Sequence, residues 1–405
     1  MQPTSVFPAL PNLSRRNFFR MAAGASALAG VPILSEGHLA WAARPAADGY
    51  NDPKAIHIDA NENPLGPSEG ARQAMVDIIP RGGRYMYHMR EELAGIFAAQ
   101  QGLDPQCVLP FAGSSEPLHL TVIAFAAKDK PLVIADPGYE APMRAAAAIG
   151  APVIKVPLAD RNGCATHDVK AMVAAASTPG VIYICNPNNP TGTLTSRQDL
   201  EYAVGSAPKG SLVLIDEAYI HFSDAAPSLD FVKEGKDVIV LRTFSKIYGM
   251  AGIRMGMAIG RPDLLQRYAI YNGQLALPVT AVAAAKASLL DKDLVPARKK
   301  IMAGVRSDTF AWLRSEGYAF TPSSSNCFML DARRPGTEVI SALAAKDIYI
   351  GRLWPSWPTH VRITVGTAEE MMAFRTAFQE AMSAPPAQRP ASLHAPHNRA
   401  WTELS

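Results

Sequence analysis

The sequence predicts an α/β fold in which helices cover both faces of a large, mainly parallel sheet. Four short runs of apolar and β-branched residues support this prediction, at 132–136, 181–185, 212–215 and 238–241. Each run is apolar almost throughout, as is typical of strands that are buried on both faces. Helical stretches at 141–149 and 197–204 lie between these runs. This alternation favours parallel strands joined by right-handed crossovers.

A small α+β domain is predicted for the last third of the chain. A long helical region at 278–317 is expected to link the two domains. Strand-like segments follow at 327–330, 348–350 and 361–365, with helices at 337–346 and 368–381. The predicted division is a signal peptide (1–42), an N-terminal arm and start of the small domain (43–80, loose over 43–56), a large domain (81–290), a linking helix and small C-terminal domain (291–383) and a disordered tail (384–405).

The composition is that of an ordinary soluble protein, with 48% hydrophobic residues, 19% charged residues and a formal net charge of +3. Because the basic residues are scattered, no nucleic-acid partner is predicted. No histidine cluster stands at metal-binding spacing, so no metal site is predicted. The cysteines form no C-x-x-C pair and are predicted to be free and buried; they are Cys107, Cys164, Cys185 and Cys327.

The N-terminus resembles a bacterial twin-arginine export signal. The pair Arg15-Arg16 precedes two phenylalanines and a modest, alanine-rich apolar run at 21–34. Small residues around Ala42 predict cleavage there. A membrane anchor or a disordered basic tail is the alternative, although the run is short for a span. Because this route carries folded proteins, the resemblance implies a periplasmic protein that folds before it meets the export machinery.

Lys246 ends the sequence T-F-S-K directly after a buried run, and Arg254 follows shortly. A lysine at a strand end projects into the ligand crevice of an α/β sheet, where burial lowers its pKa and makes the amine nucleophilic. Ser245 and Arg254 are the kinds of group that hold a phosphate. Most lysines are solvated, so this pattern alone is a weak signal.

Two other strand ends carry polar residues. Asp216 ends the run at 212–215, where a carboxylate can pair with the nitrogen of a pyridine ring or can cap the next helix. Asn189 lies in N-P-N-N-P-T-G, in which two prolines and a glycine force a non-helical loop. This loop is the most specific of the motifs.

The segment A-G-S-S-E brings Ser114 and Ser115 to the start of a predicted helix. Glycine and serines there present N–H groups, hydroxyls and the helix dipole to an anion, which is compatible with simple N-capping. Tyr139 follows the run at 132–136, where an aromatic ring can stack on a flat ligand or belong to the core.

The order of these motifs resembles the class I/II aminotransferases of the fold-type I group of pyridoxal-phosphate (PLP) enzymes. Within that group the chain is most similar to the histidinol-phosphate aminotransferase family. D-A-N-E-N-P-L-G-P at 59–67, Arg84-Tyr85 and V-R-I-T-V-G at 361–366 resemble motifs of that family. The similarity covers about 56–382. It implies a fold-type I architecture, with a large PLP-binding domain and a small domain.

The resemblance also implies roles for individual residues. Lys246 holds the cofactor as an aldimine, Asp216 pairs with the ring nitrogen and Tyr139 stacks on the ring. Asn189 and Tyr219 bond the ring oxygen. The phosphate is held by Ser114, Ser115, Ser245 and Arg254, and by Tyr85 of the neighbouring subunit in a homodimer.

Substrate residues are implied in the same way. Arg362 corresponds to the arginine that binds the α-carboxylate of an amino acid, with Asn326 nearby. The expected reaction moves an amino group from an amino acid to a 2-oxo acid. A PLP decarboxylase, lyase or amino-acid oxidase keeps the same residues and is the alternative.

Departures from the family pattern fall on the substrate side. A serine replaces the aspartate usual in the phosphate cradle, and Leu65 stands where many relatives have an aromatic residue. Arg352 lies in an unusual segment with Trp354 and Trp357. Histidine synthesis is cytoplasmic, so an exported enzyme is expected to use an amino donor other than histidinol phosphate, one contacted by Arg352 and these tryptophans.

Overall fold

A seven-stranded sheet lies at the centre of the fold. The computed structural model describes residues 33–45, 48–161, 163–271 and 276–385. The strands in this part of the chain are β1 Ile56–Ile58, β2 Val108–Phe111, β3 Leu132–Asp136, β4 Val153–Pro157, β5 Ala159–Arg161, β6 Cys164–Thr166, β7 Val181–Cys185, β8 Leu212–Asp216, β9 Val238–Thr243, β10 Gly256–Gly260, β11 Cys327–Asp331, β12 Ile348–Ile350 and β13 His360–Thr364.

The central sheet has the order β2-β10-β9-β8-β7-β3-β4. Strand β10 is antiparallel to both of its neighbours, and the other pairs are parallel. The four predicted runs form the adjacent strands β3, β7, β8 and β9, almost every residue of which is buried. The predicted α/β class with a mainly parallel sheet is thereby confirmed.

The register of the parallel strands aligns their carboxyl ends. Asp216, the last residue of β8, lies opposite Cys185 at the end of β7 and Leu241 near the end of β9. The segments that leave these strands therefore emerge side by side. In open α/β sheets this edge is where ligands bind.

Helices connect the strands and also form much of a small unit, which is built around β1, β11, β12 and β13. They are α1 Glu36–Ala43, α2 Glu69–Ile78, α3 His88–Gln101, α4 Ser115–Phe125, α5 Ala141–Ala148, α6 Val169–Ala174, α7 Arg197–Ser206, α8 Leu229–Lys233, α9 Pro262–Gln266, α10 Val279–Leu290, α11 Leu294–Ser315, α12 Gly336–Ala344 and α13 Ala368–Ser383.

The long helical region predicted at 278–317 is two helices, α10 and α11. The Oδ1 atom of Asp291 accepts hydrogen bonds from the N–H groups of Asp293, at 3.1 Å, and Leu294, at 3.2 Å. An aspartate that bonds the backbone just ahead of it competes with helix continuation. The helix therefore breaks at 291–293, which the apolar pattern did not reveal.

The small unit joins the two ends of the described chain. Strand β1 pairs in parallel with β12, while β11 and β13 form an antiparallel pair. Helix α12 packs on α13 and on the strands β12 and β13. Segments before and after the large sheet thus share one small structure, which lies beside the carboxyl edge of β8.

The N-terminal arm is more ordered than predicted. Residues Asp48–Asn51 form a 3₁₀ turn, and the Tyr50 hydroxyl donates to Asp59 at 2.8 Å. The ring of Tyr50 also lies 4.7 Å from those of His57 and Tyr349. A residue held by three partners cannot belong to a loose arm.

Other expectations fall partly outside the described residues. The Arg15-Arg16 pair lies in 1–32 and most of the predicted tail in 386–405, both outside them. Within the described part of the chain, no helix is long and apolar enough to cross a membrane. Of the four free cysteines, Cys185 and Cys327 are buried as predicted, whereas Cys107 and Cys164 are only half-buried.

Candidate active site

A cavity of about 280 Å³ opens at the carboxyl edge of β7, β8 and β9. Nine of the residues singled out from the sequence line it: Ser114, Ser115, Tyr139, Asn189, Asp216, Tyr219, Ser245, Lys246 and Arg254. They come from five different strand ends or helix starts. The parallel register brings them together.

Lys246 lies in the turn that follows β9, with its side chain buried. Its Nζ donates to the backbone oxygen of Ala60 at 3.1 Å and lies 5.7 Å from the centre of the Tyr219 ring. Burial lowers the pKa of this amine, and Arg362 acts in the same direction. A larger share of the amine is therefore neutral and able to act as a nucleophile.

Asp216 is buried at the floor of the cavity. Its Oδ2 accepts from the Tyr183 hydroxyl at 2.9 Å, and its Oδ1 accepts from the N–H of Ala218 at 3.1 Å. Burial raises the pKa of Asp216 to about 6, although these hydrogen bonds oppose the rise. A positive charge beside this carboxylate would offset its burial. A protonated ring nitrogen is such a charge.

One end of the cavity is built for an anion. The Nη1 of Arg254 donates to Ser245 Oγ at 3.3 Å and to the backbone oxygen of Ala251 at 2.9 Å. Among the described residues, no carboxylate pairs with Arg254. A Cβ at Gly113 would lie 2.2 Å from Arg254 Nη2, so only glycine leaves room for this guanidinium at the start of α4.

A second group of side chains includes Asn189 and Tyr219, the two residues expected to bond the ring oxygen. The Tyr219 hydroxyl accepts from Asn61 Nδ2 at 3.0 Å and from Asn189 Nδ2 at 3.4 Å. Asn189 Oδ1 in turn accepts from Arg362 Nη1 at 3.0 Å. These four side chains form one buried network between the large sheet and the small unit.

The substrate end contains two arginines and two carboxylates. Arg362, fully buried on β13, lies 2.7 Å from Glu36 Oε1. Arg352 pairs with Glu36 as well, and also with Glu140 at 2.7 Å. The Trp354 ring lies beneath both guanidinium groups, 4.7 Å from Arg352 and 5.5 Å from Arg362.

Several residues that the sequence placed in the site lie outside the cavity lining. Arg352 and Arg362 are among them, and both pair with Glu36, which does line the cavity. Asn326 donates to the backbone oxygens of Asn61 and Glu62, at 3.1 and 3.2 Å. It therefore holds the loop that follows β1 and does not line the cavity. Trp354 donates its indole N–H to the backbone oxygen of Gly138 at 2.8 Å, and the Trp357 ring lies 4.7 Å from that of His360, tilted by 43°. Tyr85 is 76% exposed.

Sequence reasoning missed four residues of this site. Glu36 was assigned to the signal peptide, although it lines the cavity. Glu140 directly follows Tyr139, but its partner Arg352 is 212 residues away. Asn61 lies inside the quoted D-A-N-E-N-P motif, which was the available signal. Tyr183 lies inside an apolar run, and nothing in the sequence marks it as the partner of Asp216.

The residues present fit PLP. The half-buried guanidinium of Arg254, which pairs with no carboxylate among the described residues, suits its phosphate. Asp216 suits its ring nitrogen, and Lys246 suits its aldehyde. Within the described residues, no group of three His, Cys, Asp or Glu side chains could hold a metal ion.

Fold and site together define a PLP-dependent transferase of fold type I. The family model "Aminotransferase class I and II" matches residues 54–378, which is most of the chain, so the protein belongs to this family of PLP-dependent aminotransferases. The family resemblance, the cofactor and the aminotransferase activity expected from the sequence are confirmed.

Similar proteins include two kinds of aminotransferase. The histidinol-phosphate aminotransferase of Symbiobacterium thermophilum is 33% identical over 81% of this chain and 90% of its own. The aromatic amino acid aminotransferase of Mycobacteroides abscessus is 32% identical over 80% and 93%. The structure of histidinol-phosphate aminotransferase from Sinorhizobium meliloti with pyridoxal-5'-phosphate has a TM-score of 0.76 at 22% identity, covering 93% of this chain and 98% of that one.

Proposed function

We propose that the amino donor of this aminotransferase is an amino acid with an uncharged, aromatic side chain. Charge balance at the substrate end carries the proposal. Arg352 and Arg362 bring two positive charges, and Glu140 neutralises one of them at 2.7 Å. The remaining charge matches one carboxylate, and is too small for the phosphate of histidinol phosphate or for a second carboxylate.

Two further features support an aromatic donor. Tyr139 and Leu118 add apolar surface to the cavity lining. The 32% identical relative from Mycobacteroides abscessus is an aromatic amino acid aminotransferase. In this structure the carboxylate of Glu36 takes the remaining positive charge and lies where we place the carboxylate of the donor.

We propose the following roles for the residues of the chain. Bound PLP supplies an electron sink for the charge left when the donor loses its Cα proton. Lys246 Nζ would hold the cofactor and, as a free amine, would accept that proton. Asp216 keeps the ring nitrogen protonated, Tyr139 stacks on the ring, and Asn189 with Tyr219 holds the ring oxygen. The phosphate is bound by Ser114, Ser115, Ser245 and Arg254.

A donor comparison tests the substrate proposal. The measurement is kcat/KM for L-phenylalanine, L-aspartate and histidinol phosphate with one 2-oxo acid acceptor. The wild type should prefer phenylalanine. Glu140→Gln removes one of the two carboxylates that pair with Arg352 and should raise kcat/KM for the two acidic donors relative to phenylalanine by about tenfold.

Asp199→Asn is the matched control, because Asp199 also pairs with an arginine, Arg161, at 2.7 Å. Unlike Glu140, Asp199 pairs with neither Arg352 nor Arg362, so donor preference should stay that of the wild type. A wild type that prefers histidinol phosphate would overturn the proposal.

We also propose a homodimer in which Tyr85 reaches the phosphate site of the other subunit. Tyr85 and the neighbouring Tyr87 are exposed in the single chain, 76% and 55%. A pair of exposed tyrosines suits an interface better than a free surface. Tyr85→Phe should then weaken PLP binding, measured as the cofactor dissociation constant, without dissociating the dimer.

Export to the periplasm by the twin-arginine route is proposed from the sequence alone. Replacing Arg15-Arg16 with two lysines should keep the protein in the cytoplasmic fraction. Equal amounts of both forms in the periplasmic fraction would contradict it.

A further inference from the structure

Helix α1 inserts its first turn into the active-site cavity. Four consecutive residues of this segment line the cavity, namely Ser35, Glu36, Gly37 and His38. Ser35 caps the helix through a hydrogen bond from the N–H of His38, and the ring of His38 bonds back to Ser35. The capped start fixes the direction in which Glu36 points.

The contacts of Glu36 are those that a donor carboxylate needs. Its Oε1 pairs with Arg362 at 2.7 Å, and its Oε2 accepts from Asn189 Nδ2 at 2.8 Å. Arg352 binds the same carboxylate. Only 7% of Glu36 is exposed. A donor and Glu36 therefore cannot both hold Arg362 and Asn189.

The charge state of Glu36 is consistent with a tightly held carboxylate. Burial alone would raise its pKa, but the positive charges of Arg352 and Arg362 outweigh burial and lower it well below the ordinary value. Lys246 adds to this attraction from inside the cavity. The glutamate is therefore ionised over the whole range of physiological pH, as the carboxylate of an amino acid is.

The segment is anchored to the rest of the protein at both of its ends. The N–H of Leu34 donates to His119 Nε2 at 3.3 Å. Near the other end, the rings of Trp41 and Tyr50 lie 5.4 Å apart. Cleavage near Ala42 would leave Tyr50 on the enzyme and remove Glu36 and Trp41 with the leader.

We propose that the segment 35–42 is a built-in competitor of the amino donor. Glu36 occupies the carboxylate site at Arg362 and Asn189, so the full chain binds donors weakly until this segment leaves. Hydrolysis of the peptide bond after Ala42, with water as the second reactant, removes it. The inference rests on the proposed function, because it takes Arg362 as the site of the donor carboxylate.

The full chain offers a closely matched pair of variants. Helices α1 and α2 both begin with the sequence Ser-Glu-Gly, and in each the serine caps the helix. Glu36→Gln removes the competing charge, whereas Glu69→Gln makes the same change on an exposed helix start. In the part of the chain that the structure describes, the ion pair of Glu69 is with Arg72 on the same helix.

The first readout is binding without turnover. The probe is 3-phenylpropanoate, which has the carboxylate and ring of an aromatic donor but no amine, and its dissociation constant is measured by calorimetry. Glu36→Gln should bind it about tenfold more tightly than the wild type, because apparent affinity scales with the open fraction. Glu69→Gln should match the wild type. Equal affinity in all three proteins would overturn the inference.

A second arm uses a chain that starts at Ala43 together with a synthetic peptide of residues 33–45. The shortened chain should bind the probe as tightly as Glu36→Gln, and the peptide should compete with the probe. The same peptide with Glu36→Gln should compete at least about tenfold less well. A shortened chain that binds the probe no better than the full chain would count against the inference.

The failure of this inference is distinguishable from that of the proposed function. If Glu36→Gln binds the probe more tightly but transfers no amino group from any amino acid, the result supports Glu36 as a competitor and contradicts the proposed amino donor. If the wild type and Glu36→Gln turn over L-phenylalanine with the same KM, the result contradicts Glu36 as a competitor and supports the proposed amino donor.

Discussion

Asp216 is a carboxylate that the fold keeps out of water, and among the described residues no arginine, lysine or histidine forms a salt bridge with it. Two hydrogen bonds hold it, yet burial still raises its pKa to about 6. At neutral pH the ionised carboxylate of Asp216 therefore destabilises the folded apoprotein. A protonated ring nitrogen would turn the same carboxylate into a favourable partner, which is a physical reason for the protein to bind PLP tightly.

Asp216→Asn tests this reading through the stability of the apoprotein. The pKa of Asp216 is raised from 3.8 to about 6 in the folded state. Its contribution to stability is therefore fully present below pH 3.8 and is lost as the pH rises through 6. Above pH 6 the variant should be more stable than the wild type, by up to about 3 kcal/mol, in urea unfolding.

At pH 4 the two proteins should have nearly the same free energy of unfolding. A difference that does not change with pH would show that packing, and not ionisation, separates them. The same variant should bind PLP more weakly than the wild type at pH 7.

Gly113→Ala tests the anion end of the cavity. The added Cβ would meet Arg254 Nη2 at 2.2 Å, and Gly113 has a φ of 94° that disfavours any side chain. Arg254 must then move away from the phosphate position, so the affinity for PLP should fall by about tenfold or more. The measurement is a cofactor titration followed by absorbance.

Gly205→Ala is the control for that experiment, because a Cβ there would meet nothing within 4 Å and the residue lies on helix α7. Its PLP affinity should equal that of the wild type. An unchanged affinity in Gly113→Ala would remove Arg254 from the phosphate site.

At the residue scale, the sequence predicted the site residues that directly follow a strand. It missed the site residues whose role depends on a partner far away in the chain. Lys246, Asp216 and Asn189 were found because each follows a buried run. Glu140 and Glu36 were not, because their partner Arg352 is far along the chain. Pairing of distant charges is a property of the fold, and no local pattern encodes it.

The loop after β7 shows how an element positions a side chain. The N–H of Gly192 donates to the backbone oxygen of Asn188 at 2.7 Å, and the N–H of Asn188 donates to Thr193 at 2.8 Å. The closed loop presents Asn189 to Tyr219 and Arg362. The prolines and the glycine make this loop rigid, and the same residues allowed the loop to be predicted from the sequence.

Gly192→Ala should disturb this loop in two ways. Its φ is 69°, and a Cβ would lie 1.9 Å from Ser323 Oγ. Gly210→Ala is the matched control, since Gly210 also has a positive φ, 87°, but a Cβ there meets nothing within 4 Å. The control should lose about 1 kcal/mol of stability.

Gly192→Ala should lose more stability than the control, by thermal or urea unfolding, and should also bind PLP more weakly because Asn189 shifts. Equal losses in the two variants would mean that the loop absorbs the clash without moving Asn189.

At the element scale, the parallel core was predictable and the edge was not. Strands β3, β7, β8 and β9 are apolar runs of the predicted length and position. Strand β10 has glycine at both ends, and β2 contains Pro110, so the sequence predicts neither of them as a strand. Each of these strands gains its place by pairing with a neighbour across the sheet.

At the scale of the whole molecule, the surface around α2 suits the proposed dimer. Val76 and Ile79 are large apolar residues that are 59% and 61% exposed, close in sequence to Tyr85. A cluster of this kind is typical of a surface that another protein covers. The stretch from Val76 to Tyr87 therefore belongs in the proposed interface.

Ile79→Asp should dissociate the dimer, because it places a charge in that interface. Met372→Asp is the control, since Met372 is 66% exposed on α13 in the small unit. Sedimentation velocity should give a smaller species for the first variant and the wild-type species for the second. A wild type that sediments as a monomer at micromolar concentration would contradict the dimer.

The most direct test of the central claim is an absorbance titration of the purified protein with amino acids. Wild type, Glu36→Gln and Lys246→Ala are compared after addition of PLP. We predict a visible band of lysine-bound cofactor in the first two proteins, absent from Lys246→Ala, that converts to the pyridoxamine form with L-phenylalanine. The absence of this band from the first two proteins would contradict the account, as would a band that no amino acid converts.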